Sequence, residues 1–163
     1  MVLNMTNTAA IYISSVLLEK NRWDSRIPSL KISDWLKPIA DAGFDGLELW
    51  ENHLLLADAA EREAVIADPM PITVLNTYCA FDDPGAKGRA ASAELAHLLN
   101  VPAVKFNFGD KPAMVNTYMN NLITWRDVLP VSCRLLCECH PDTILEEPMQ
   151  AADILSPLPD QLE

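Results

Sequence analysis

Five short apolar or β-branched segments recur along the chain, at 10–14, 45–49, 72–76, 103–107 and 132–138. Their starts lie about 30 residues apart, the length of one strand–helix unit with its loops. Helical patterns fill the intervals. Ser33 is placed to cap a helix through Trp35, Leu36, Ile39 and Ala40, with Gly43 as its stop. Residues 57–67, rich in Ala, Glu and Arg, predict an exposed helix. Pro84 and Gly85 open a third, with Ala91, Leu95, Leu98 and Leu99 at helical spacing before Asn100 and Pro102 end it. Pro112 belongs in the first turn of a fourth, which contains Val115, Met119, Leu122 and Ile123. A short fifth follows Pro148 and dissolves into 156–159.

Strict alternation of strand and helix implies parallel strands joined by right-handed crossovers. The fold class is α/β. Two architectures fit: a doubly wound open sheet of five strands, or part of a (β/α)8 barrel, which needs about 250 residues. Length favours the open sheet; the strand faces favour the barrel. Val104, Phe106 and Phe108 share one face of the fourth strand, opposite Lys105 and Asn107. Cys133, Leu135, Cys137 and Cys139 oppose Arg134, Leu136, Glu138 and His140 on the fifth, and Leu47 and Leu49 oppose Gly46, Glu48 and Trp50 on the second. An apolar face for helices, backed by a face turning polar toward the strand's C-terminal end, is the pattern of a barrel mouth. No Gly-rich turn follows the first strand to hold a nucleotide phosphate. The expectation is a TIM-barrel-type domain over residues 1–163, stopping after about five βα units.

Charge then narrows the function. The chain has 163 residues, 12 Lys plus Arg and 23 Asp plus Glu, for a formal net charge of -11. That balance argues against nucleic acid or an anionic membrane as partner, while leaving room for a small anionic ligand in a local pocket. No apolar run approaches the ~20 residues of a membrane span, and residues 1–10 carry no secretory signal. Three of the four cysteines crowd into 133–139 on the helix-facing side, where cysteine packs as a small hydrophobe rather than a disulfide or zinc ligand. The expected compartment is the cytoplasm.

Three stretches, 42–53 (AGFDGLELWENH), 104–109 (VKFNFG) and 136–143 (LCECHPDT), resemble the xylose isomerase-like superfamily of barrels, the sugar phosphate isomerases and epimerases. The first is similar to that family's second strand and the last to its fifth, with a Glu-x-His pair. The resemblance covers roughly residues 10–148. It implies a divalent metal (Mn, Mg, Co or Zn) at the barrel mouth, held by carboxylate and histidine ligands on strands five to eight. Only the first ligand has a position here, Glu138, which is also one of the two implied acid–base groups; the chain stops about where strand six is expected.

Around Glu138 stand the substrate-binding candidates Glu48, His53, Asn76, Lys105, Asn107 and His140. Polar groups at strand ends suit sugar hydroxyls, and Lys105 also suits a phosphate or, in the plainer reading, an ion pair with Glu138. His140, two residues beyond Glu138, faces the same way if the strand persists. Glu51 and His53 are expected on a rim loop, Tyr78 at the end of the third strand, His97 inside a helix, at its surface or in packing, and the acidic residues of 58–68 on a solvated helix face. The implied reaction is proton transfer beside the carbonyl of a sugar or polyol-derived ketone, impaired or absent in this short chain. The alternative is a non-catalytic partial barrel that associates through its open sheet edges, with a second copy or with a chain supplying the missing C-terminal part. Repair-type DNA binding is disfavoured by the charge.

Overall fold

A computed structural model describes residues 9–158 apart from 21 and 23. The leaderless reading of residues 1–8 and the chain from Pro159 onward lie outside the described residues. Five strands form one parallel sheet: β1 (Tyr12–Ser14), β2 (Gly46–Trp50), β3 (Ile72–Asn76), β4 (Ala103–Phe106) and β5 (Arg134–Cys137). Each hydrogen-bonds only to its neighbour in sequence, in the order β1-β2-β3-β4-β5. A doubly wound sheet reverses direction at a switch point; this one does not, so that alternative is overturned. Unidirectional right-handed crossovers put the helices on one face and leave the other facing inward, as in a barrel. The sheet is not closed, and β1 and β5 are its edges among the described residues.

The helices are α1 (Ser33–Asp41), α2 (Asn52–Leu55), α3 (Ala59–Ala67), α4 (Ala86–Leu99), α5 (Val115–Arg126) and α6 (Pro148–Leu155). Leu47, Leu49, Leu75, Val104, Phe106 and Leu135 are buried from the sheet side, against Leu36 and Ile39 of α1, Leu95 and Ala96 of α4, and Leu122 and Trp125 of α5. Phe81 sits at the centre of an aromatic group, with ring centroids 5.5–5.8 Å from Trp125, Phe106 and Phe108. No described helix is long and apolar enough to cross a membrane.

Several expectations are corrected locally. Ser33 is the first residue of α1 rather than its cap; Ile32 holds the cap position. The Ser33 hydroxyl and amide instead donate to the Glu61 carboxylate of α3, at 2.6 and 2.9 Å. Glu61 is therefore buried, not part of a solvated face, and it brings negative charge to the positive end of α1. Asp58 caps α3 by accepting from the Glu61 amide. Gly43 does end α1, at φ +89°, a left-handed conformation that favours glycine. Leu98 points outward, while Trp125 takes a buried place on α5 that the periodicity had not assigned. His97 lies exposed, against the Val128 carbonyl at 3.0 Å. Burial pushes the Cys133 and Cys137 thiols up, to about 11 and about 12, so both are packed and protonated. Cys139 is exposed because β5 ends at Cys137 and the chain turns, the His140 amide donating to the Glu138 carbonyl at 2.8 Å.

Candidate functional site

Alternation along the strands puts Ser14, Glu48, Asn76, Lys105 and Glu138 on the inward face, near its C-terminal end. One oxygen of Glu48 gathers three donors: Ser14 Oγ at 2.8 Å, Asn76 Nδ2 at 3.0 Å and Lys105 Nζ at 2.8 Å. Lys105 Nζ also lies 3.4 Å from Glu138 Oε1. Burial alone would push the Lys105 ammonium toward neutrality; its bond to Glu48 and the charges of Glu48 and Glu138 outweigh this and raise its pKa. Side-chain exposure runs from 19% for Lys105 and 20% for Glu48 to 34% for Glu138. Glu138 is thus the carboxylate most open to an incoming molecule. Asn76 Oδ1 is buried beside this group with no partner in the protein.

Two positions further along each strand direction stand Val16, Trp50, Tyr78, Asn107 and His140, which with Arg22, Arg26 and Thr143 line a cavity of about 260 Å³. The cavity thus draws on the C-terminal end of every strand, where barrel enzymes place their sites. Arg26 lies 4.3 Å above the Tyr78 ring. The His140 Nδ1 lies 2.7 Å from the Pro141 carbonyl. A carbonyl only accepts, so Nδ1 carries the hydrogen there and Nε2 is left to accept or, when protonated, to donate. The Trp50 indole N–H is buried and, like Asn76 Oδ1, has no partner in the protein. Glu19 Oε1 and the two His53 nitrogens are likewise buried without a hydrogen-bond partner, and an unpaired buried polar atom costs about 1–3 kcal/mol.

Glu48, Asn76, Lys105, Asn107, Glu138 and His140 are therefore brought to one region. His53 is not. The loop expected to carry Glu51 and His53 contains the four-residue helix α2, and both side chains turn inward. Glu51 accepts from the Tyr78 amide at 2.6 Å and the Ser92 hydroxyl at 2.5 Å, so it fixes the backbone behind the cavity. Burial raises its pKa against the pull of those bonds and of Arg26. His53 is fully enclosed, 3.6 Å from Glu19 and edge-on to Trp50, with ring centroids 5.4 Å apart. Burial lowers its pKa despite the nearby Glu19 charge, so it backs Trp50 as a neutral ring.

Among the described residues the donor set does not fit a resident divalent ion. Among the described residues no three His, Cys, Asp or Glu side chains converge, and Glu138, the expected first ligand, shares the Lys105 ammonium with Glu48. Sequence reasoning missed Arg22, Arg26 and Thr143, which lie in connections without periodicity; Trp50 was placed on the inner face but not taken as a cavity wall.

No known family model matches the chain, and no curated protein matches it. Among solved structures it is similar to a xylose isomerase-like TIM barrel/4-hydroxyphenylpyruvate dioxygenase fusion protein, with a TM-score of 0.64 and 16% identity. The match covers 94% of this chain and 26% of that one, so the chain spans about a quarter of that protein's length. At this identity the likeness shows the fold alone, part of a parallel (β/α) barrel.

Proposed function

We propose that the inward face of the sheet binds a small polyhydroxylated carbonyl compound of the sugar class and moves a proton at the carbon beside the carbonyl. The observation that carries this reading is Lys105 held between Glu48 and Glu138 at the foot of the cavity. The chemistry needs a base near the acidic C–H and a positive charge near the oxygen that becomes an enolate. Glu138, the more open carboxylate, takes the proton from carbon. Lys105, whose pKa is raised, stays charged and pairs with the developing oxyanion. Asn76 Oδ1 and the Trp50 N–H receive a hydroxyl and an oxygen of the ligand, satisfying two groups the protein leaves unpaired. The His140 Nε2 exchanges a proton with a ligand hydroxyl at the cavity wall. Return of the proton to the neighbouring carbon gives an isomer; return to the opposite face of the same carbon gives an epimer. A cytoplasmic sugar isomerase or epimerase is the class this describes. No step uses a metal.

The test is wash-in of deuterium from D2O into a panel of ketoses, followed by NMR. Slow incorporation beside the carbonyl is expected, lost in Glu138→Gln with ligand binding retained. Incorporation equal in the parent and in Glu138→Gln, or none in the parent, would overturn it.

A second reading is favoured by the edges. Ile11 beside β1, Tyr12 at its start and Val131 beside β5 are 60%, 48% and 92% exposed. A non-catalytic partial barrel would pair through such edges with a second copy or another chain.

A further inference from the structure

The cavity's charges run against those of the protein. Acidic residues outnumber Lys plus Arg by 23 to 12 in the chain, yet among the described residues the cavity wall holds two arginines and a histidine and no Asp or Glu. One residue pair deeper the sign reverses, because Glu48 and Glu138 outnumber Lys105. An anion entering the cavity is repelled from the foot and attracted to the wall. We propose that Arg22 and Arg26 hold an oxyanion of the ligand, a carboxylate or a phosphate, with the carbonyl and hydroxyl end directed at Lys105; this rests on reading the same cavity as the ligand site. Arg26 is built for the task. Its guanidinium lies 4.3 Å over the Tyr78 ring, and stacking occupies the face of a guanidinium while its N–H donors point outward in the plane. The Tyr78 backbone is itself pinned by the hydrogen bond its N–H donates to the Glu51 carboxylate, which also feels the charge of Arg26. Arg22 lines the same wall, and Asn107 and Thr143 add neutral polar groups to it. At about 260 Å³ the space equals that of about nine waters, which suits one sugar acid or monosaccharide phosphate.

Calorimetric titration of the full chain with D-fructose, D-fructose 6-phosphate and D-gluconate tests this. At least one anionic probe should bind tenfold or more tighter than fructose, and the gap should close as salt is raised. The tighter of the two anions identifies phosphate or carboxylate as the group held. Arg22→Met and Arg26→Met should each cut the anionic-to-neutral affinity ratio several-fold, with Arg26→Lys recovering part of it. An anion bound no better than fructose, or a ratio unchanged in both methionine variants, overturns the subsite. Should Arg26→Met fail to fold, Arg22→Met and the salt dependence decide. Glu138→Gln should stop deuterium wash-in while keeping the anion preference. In the parent, no anion preference with intact exchange therefore refutes the arginine subsite alone, and no exchange with intact anion preference refutes the proton-transfer reading alone.

Discussion

Lys105 supplies one positive charge to two carboxylates, so removing it leaves Glu48 and Glu138 facing each other across a partly closed space. Lys105→Met should destabilise the fold by about 2 kcal/mol, below the ~3–5 of a fully buried pair because all three side chains retain some water. Chemical denaturation measures this. A pair of carboxylates without a cation also attracts hard divalent ions. Mn2+ should raise the Tm of Lys105→Met and leave the parent unchanged; an equal rise in the parent would mean that metal displaces the lysine. The pH dependence follows in sign. Because the folded-state pKa of Lys105 is raised from 10.5, its stabilisation is complete below that value and is lost as pH climbs through the higher folded pKa. The alkaline loss should be smaller in Lys105→Met. These inward residues were legible in the sequence, since strand alternation is a local signal with period two. Arg22 and Arg26 were not, because a connection has no period and their place is set by Tyr78 and the cavity around it.

Elements are held to one another by polar groups as well as by the apolar core. Glu61 of α3 serves the N-terminus of α1 through two hydrogen bonds to Ser33. Glu61→Ala strips both from a buried site and should cost about 2–3 kcal/mol with an unchanged denaturant m-value, while Glu61→Gln should cost less. A loss below 0.5 kcal/mol would show that water replaces the carboxylate there. This link was invisible in the sequence because its partners lie far apart along the chain, and an acidic, alanine-rich stretch reads as exposed. The long helices and all five strands were legible from spacing. Helix α2 was not: four residues are too few to show a helical period, so the burial of Glu51 and His53 had no local signature. The end of β5 at Cys137 escaped for a related reason, as alternation in residue type continues past the point where the ladder stops.

At the scale of the molecule, β1 and β5 are the edges of the open sheet among the described residues, with apolar side chains exposed beside both. Association should therefore depend on concentration in sedimentation velocity, and Ile11→Lys combined with Val131→Lys should shift it toward the monomer. A monomer at all concentrations would remove the edge-pairing reading. The strand order has a consequence of another kind. Every strand docks on the one synthesised just before it, so the sheet can grow in the direction of translation, with no early strand waiting for a late one to become its neighbour. The charges do not keep the same timetable. Glu48 joins the sheet with β2, but its lysine arrives only with β4, two units later. Until then the nascent inward face holds a carboxylate that Ser14, and after it Asn76, must steady by hydrogen bonds alone.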